Sequence, residues 1–173
     1  MFLRYRIKYG QINVNSGVPL MSWNHITTES LRYQTEWKIN AMLNLDSRFE
    51  LVKCSGEGKE NEYGYLVSQD ISYKPAKLPL AVSFRYALFN TDSYETRIYT
   101  YENDVLYGYS VPALEGSGIR CFLMISSSPW RFIEVWARYS QTFYSDRTEI
   151  GTGLERIDGN NKSEIKIQVL IRI

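Results

Sequence analysis

At 173 residues the chain is one domain's worth, and a formal net charge of +1 with a pI near 7.7 supplies no global field toward nucleic acid or an anionic surface. Two cysteines, Cys54 and Cys121, show no metal-ligand spacing and cannot make a disulfide framework, so one bridge or two free thiols are both open. No run of about eighteen apolar residues occurs, which excludes a helical membrane span, while a mean hydropathy of −0.32 does not argue against a membrane barrel, where only alternate residues meet lipid.

In chain order, eight segments fit the strand template: 1–9, 29–39, 43–54, 63–74, 80–89, 118–126, 131–143 and 161–173. Each is near the roughly 9–11 residues that a tilted strand needs to cross a bilayer. Successive side chains of a strand point to opposite faces, so period-two patterning separates two surfaces. One face begins with Leu3, Tyr5, Ile7 and Tyr9 and ends with Ile165, Ile167, Val169 and Ile171. Between them come Leu31, Tyr33, Trp37 and Ile39, Leu43, Leu45, Phe49 and Leu51, Tyr65, Val67, Ile71 and Tyr73, and their equivalents through Tyr139. Charges reach this face only at strand ends, as Glu29, Lys53 and Arg131.

The other face collects Arg4, Arg6, Lys8, Arg32, Glu36, Lys38, Asp46, Arg48, Glu50, Asp70, Lys74 and Arg85. It continues with Arg120, Glu134, Arg138, Glu164, Lys166 and Arg172, so basic groups outnumber acidic ones two to one. Leu66, Phe89, Phe122, Met124, Trp136 and Leu170 are apolar interruptions.

Connections alternate in length. Residues 10–28, 55–62, 90–117 and 144–160 form the long set; 40–42, 75–79 and 127–130 form the short set. Short turns on one rim and long loops on the other are the signature of outer-membrane barrels, and an even strand count puts both chain ends on the short-turn rim. The region 97–110 could form a strand or hairpin, and the pattern assigns it to the long loop. Tyrosine, with 14 copies, dominates the aromatics, and Tyr9, Trp37, Tyr63, Tyr65, Tyr73, Trp130 and Phe143 fall toward segment ends, where aromatic girdles sit. The last strand runs to Ile173, as in outer-membrane barrels, with isoleucine in place of their usual final aromatic. No signal peptide precedes the first strand, which reads as a C-terminal fragment or a truncated frame.

These features predict an all-β fold: an antiparallel up-and-down transmembrane β-barrel, of eight strands or the C-terminal eight of a larger barrel, in one domain over 1–173. The expected partners are the lipid bilayer of a Gram-negative outer membrane and its assembly machinery. No nucleic acid is expected to bind this segment, and no cofactor or metal is called for. The competing reading is a soluble lipocalin-like barrel with its apolar face inside, binding a small apolar ligand.

The segments Asn90–Tyr94, Arg97–Tyr107, Tyr144–Arg147, Ile150–Leu154 and Ile157–Lys166 together resemble the C-terminal barrel of helix-hairpin-helix-bearing (ComEA-like) outer-membrane proteins of Gram-negative bacteria. The resemblance spans about the last two-thirds of the chain, which carries no helical module. It implies an outer-membrane location rather than a particular activity.

Candidate sites are few. His25, the single histidine, lies in Trp23-Asn24-His25-Ile26-Thr27 at the edge of a loop with no serine elbow, so a surface role is expected and no catalysis. Gly56-Glu57-Gly58 and Gly151-Thr152-Gly153 are turn glycines without the strand-to-helix setting of a phosphate cradle, and Asp158-Gly159 marks a tight turn. Asp92, Glu95, Glu102 and Asp104 match no calcium-loop spacing. The two candidates with a physical rationale are a charge network and a plug. The network comprises Arg4, Arg6, Arg32, Glu36, Arg48, Glu50, Asp70, Arg85, Arg120, Glu134, Arg138, Glu164 and Lys166. The plug or lid is the loop bearing Tyr94, Tyr99, Tyr101, Glu102, Asp104, Tyr107 and Tyr109, expected to meet Arg85, Arg120 and Arg138 through its acids; an ordinary extracellular hairpin is the alternative.

Overall fold

The structure, a computed structural model, describes residues 1–14 and 22–172. Strands β1 (Phe2–Val14), β2 (Ser22–Lys38), β3 (Leu43–Gly56), β4 (Lys59–Tyr73) and β5 (Leu80–Thr91) form an antiparallel meander. Two-residue strands β6 (Ile98–Tyr99) and β7 (Ala113–Leu114) pair inside the next connection. The meander resumes with β8 (Ser117–Trp130) and β9 (Ile133–Tyr144), is interrupted by the small pair β10 (Glu149–Ile150) and β11 (Ile157–Asp158), and ends with β12 (Asn161–Ile171). The eight long strands make one sheet in the order β1-β2-β3-β4-β5-β8-β9-β12. No pairing joins β1 to β12 among the described residues, so this sheet is not a closed barrel.

The register turns the sequence alternation into continuous bands. Trp37, Leu45, Ile71, Phe84, Leu123, Tyr139 and Ile165 are successive ladder partners across β2 to β12, and every one is apolar. All are exposed except Leu45, which is half-buried. On the opposite face Arg48, Glu50, Ser68, Arg138, Ser140 and Thr142 are buried. Arg48 on β3, Arg85 on β5, Arg120 on β8, Arg138 on β9 and Lys166 on β12 all reach residues 99–104, so the sheet bends around that segment with its charged face concave. The charged interior and apolar exterior reverse the arrangement of a soluble β-barrel.

An apolar cluster occupies the concave side near the long connections. Val52, Leu66, Ala87 and Phe89 from the sheet meet Ile98 and Leu114 from the inserted segment, with the Tyr144 ring edge-on to Phe89 at 5.9 Å. Two of the apolar interruptions, Leu66 and Phe89, are thus core residues; Phe122 and Met124 are also buried on this side.

The structure corrects several expected boundaries. Strands β1 and β2 run well past residues 9 and 29, so His25 lies on a strand opposite Gln11 rather than in a loop. The expected long connection 55–62 is a turn at Glu57–Gly58, with Gly58 at φ 69° supplying the left-handed conformation that a tight hairpin needs. The turn expected at 127–130 lies instead at Arg131–Phe132, after a register shift between Ser127 and Trp130. The region 97–110 is part of a hairpin, paired through β6 and β7 and bridged between Glu102 and Ser110. Ile173 and residues 15–21 of the first long connection lie outside the described residues. Cys54 and Cys121 are free thiols on opposite faces, on β3 and β8.

Candidate functional site

The inserted hairpin starts with a local signal. Ser93 caps a 3-10 turn over Tyr94–Thr96: its hydroxyl accepts from the Glu95 amide, and the Thr96 hydroxyl accepts from the Ser93 amide. The neck is closed by Thr91, whose amide donates to the Gly116 carbonyl at 2.9 Å while its hydroxyl accepts from the Gly116 amide at 2.7 Å. From there the chain is extended, and Ile98, Thr100 and Glu102 are buried against the sheet while Tyr99 and Tyr101 are exposed.

Glu102 is the anchor. Its carboxylate, 0% exposed, accepts two hydrogen bonds from Arg120, at 2.6 and 2.8 Å, and one from Arg138 at 2.5 Å. A bidentate guanidinium–carboxylate pair fixes orientation as well as contributing energy. Arg138, 1% exposed, also donates to Glu164 at 3.1 Å, to the Asn103 carbonyl at 3.0 Å and to the Ser110 hydroxyl at 3.2 Å. Lys166 donates to Asp104 at 2.9 Å. Burial would raise the Asp104 carboxyl, but the bonds from Lys166 and the Val105 amide and the nearby Arg138 charge outweigh it and hold the group below the usual aspartate range.

On the other flank the hairpin is held through its backbone. Arg85 binds Asp70 bidentately, with both contacts at 2.5 Å, and its remaining nitrogen donates to the Thr100 hydroxyl at 2.5 Å and the Tyr101 carbonyl at 2.6 Å. Arg48 donates to the Tyr99 carbonyl at 3.0 Å and shares Glu50 with Arg32. The guanidinium groups of Arg85 and Arg138 lie 5.4 and 5.7 Å from the centroid of the Phe122 ring, which spaces the two ionic groups.

These contacts bring together most of the expected network and redefine the plug. Arg120 and Arg138 meet the hairpin through its acid Glu102, whereas Arg85 meets it through a hydroxyl and a carbonyl. The tyrosine rings do not dock it. Tyr94 lies under the Arg97 guanidinium at 3.7 Å, Tyr101 and Tyr109 tilt against each other at 6.0 Å, and Tyr107 is exposed with φ 64° at the hairpin tip. Two expected network members lie elsewhere: Glu134 pairs with Arg172 at 2.5 Å near the short-turn rim, and Glu36 is exposed opposite Asp46. Arg4 and Arg6 face the same concavity without an ion pair among the described residues. Sequence reasoning missed Thr100, Asn103, Ser110 and Thr142. The alternation from Ile98 to Glu102 was the available signal for the first.

Asp92, Glu95, Glu102 and Asp104 do not converge. Asp92 accepts from the Tyr63 amide, Glu102 and Asp104 are tied to cations, and no group of three His, Cys, Asp or Glu gathers among the described residues. His25 is exposed on β2.

Gly64 sets how closely the hairpin approaches. A Cβ there would lie 2.7 Å from the Thr96 carbonyl oxygen and 3.1 Å from the Thr91 methyl. Gly64→Ala is expected to lift the 3-10 turn and destabilise the fold by about 1–3 kcal/mol, the usual cost of overpacking, read as a fall in the thermal midpoint. An unchanged midpoint would mean that the turn is not seated there.

Comparison of the chain with protein-family models, with curated proteins and with solved structures finds no match in any of the three.

Proposed function

We propose that this chain is the membrane-spanning part of a Gram-negative outer-membrane β-barrel protein of the helix-hairpin-helix-bearing kind, with a structural, anchoring or loop-display role and no catalysis. It supplies eight strands, or the C-terminal eight of a larger barrel that could serve as a pore or transporter. The observation that carries this reading is the reversed burial: an apolar band seven strands wide faces outward while a 1%-exposed arginine and a fully buried glutamate sit within the concavity. In water such a band is an aggregation hazard; against hydrocarbon it is the required surface. A lipocalin-like binder would need the opposite distribution.

The edges fit the larger assembly. Leu123 and Phe84, in mid-sheet, are 36% and 37% exposed, while Ile165 and Ile167 on β12 are 70% and 72% exposed, as expected of a strand with one neighbour missing. Each unpaired backbone group would cost several kcal/mol in a bilayer, so β1 and β12 must pair there, with each other or with further strands.

The test is fractionation of the cell envelope. The protein is expected to stay with outer membranes through a high-salt wash and to require detergent for extraction. Recovery in the aqueous fraction without detergent would overturn the reading.

A further inference from the structure

We propose that the concavity beside the hairpin, along β1 and β2, is a binding site for a small oxyanion of the phosphate or sulfate class. The inference rests on an uneven distribution of charge and holds whether or not the convex face meets lipid. On the β8–β9–β12 flank the cations Arg120, Arg138 and Lys166 are matched by Glu102, Asp104 and Glu164. That flank is electrically settled by two acids of the hairpin and one of β12.

The β1–β3 flank is not. Arg85 on the neighbouring β5 has Asp70 on β4, but on β2 and β3 Arg32 and Arg48 share the single carboxylate of Glu50. Arg4, Arg6 and Lys8 point inward at successive even positions of β1; none makes an ion pair among the described residues, and Arg4 feels the already shared Glu50 only at a distance. Asp46 accepts from the Gln34 amide, Glu36 is exposed toward the short-turn rim, and Glu95 borders the concavity near Lys8. Arg4 also stands directly opposite Arg32 in the ladder, a like-charge pairing that costs stability unless something negative lies between. Its Nε is buried without a hydrogen-bond acceptor.

Space is present where the charge is unmatched. A cavity of about 520 Å³ is walled on the sheet side by five arginines, Arg4, Arg6 and Arg32 among them, against the two acids Asp46 and Asp70, and on the hairpin side by its tyrosines. A second, of about 320 Å³, shares Arg6, Arg32 and Tyr99 and extends toward Lys8, with Glu95 and Arg97 at its border. Forked guanidinium donors suit an anion with several acceptor oxygens better than a halide.

The experiment is titration of the detergent-purified full chain with inorganic phosphate by calorimetry, with acetate as a carboxylate arm and chloride as a control. Saturable phosphate binding is expected, weaker with acetate and absent with chloride at the same ionic strength. Arg4→Gln and Arg6→Gln should each weaken it by about tenfold or more, in line with loss of one charge-assisted hydrogen bond. Asp46→Asn should tighten it by removing a competing negative charge. Because Arg6 is exposed and Asp46→Asn keeps its side-chain carbonyl, these two variants decide the matter if Arg4→Gln fails to fold. No saturable binding, or binding indifferent to Arg6→Gln and Asp46→Asn, would overturn the site. Neither result bears on membrane partitioning, which fractionation reads separately.

Discussion

Arginine at Leu123 is expected to prevent assembly into the outer membrane. The side chain lies in the apolar band between Phe84 on β5 and Tyr139 on β9, near the middle of its strand. A cation facing hydrocarbon at mid-depth costs about 2–4 kcal/mol, and the penalty falls toward zero near the rims. Ile167→Arg, closer to the short-turn rim, should therefore be impaired less than Leu123→Arg. Gln168→Arg, one residue along β12 on the concave side, should assemble normally. The measurement is the fraction of each variant recovered in outer membranes in a heat-modifiable, protease-resistant form. Equal recovery for all three would remove the lipid-facing assignment, because only orientation distinguishes Ile167 from Gln168.

Removal of the Glu102 carboxylate should be the most damaging change on the concave side. Glu102→Gln strips Arg120 of its bidentate partner and Arg138 of its shortest contact, leaving buried cations under-compensated. Breaking a buried ion pair from one side costs about 3–5 kcal/mol, most of it the penalty on the charge left behind. The loss should appear as a lowered thermal midpoint and as cleavage by chymotrypsin at the hairpin tyrosines. The double variant Glu102→Gln/Arg120→Gln should recover part of it, since the stranded charge goes too; this non-additivity separates ion pairing from simple packing. A single variant as stable and protease-resistant as the parent would show that the hairpin is not held by this contact.

The two faces of the sheet were legible because alternation is a local property. Phe49 between Arg48 and Glu50 declares its side without reference to any other strand, and the structure exposes the first and buries the other two. The apolar interruptions were legible as exceptions but not as a group, because Leu66 and Phe89 acquire meaning only beside Ile98 and Leu114. The upper ends of β1 and β2 were missed since Ile12 and Val14 fall on even positions, out of phase with Leu3 to Tyr9, yet a ladder of backbone hydrogen bonds does not need the apolar phase to continue. The same holds for the turn at Glu57–Gly58, hidden by the polar run Lys59 to Glu62. The docking of the hairpin was only half legible. Its acids suggested ion pairing, but Glu102 is chemically indistinguishable in sequence from Glu95, and partners lying 18 and 36 residues away are chosen by topology. That Arg85 would meet the hairpin through a hydroxyl and a carbonyl rather than a carboxylate has no sequence signature at all.

The hairpin binds Arg48 on the third strand and Lys166 on the last, so it braces the curvature of the sheet from within, like a mandrel inside a rolled plate. A barrel that owes its bend to lateral closure flattens when its seam opens. Here the bend is written into contacts that cross the concavity, so the wall keeps its shape without a pairing between the first and last strands.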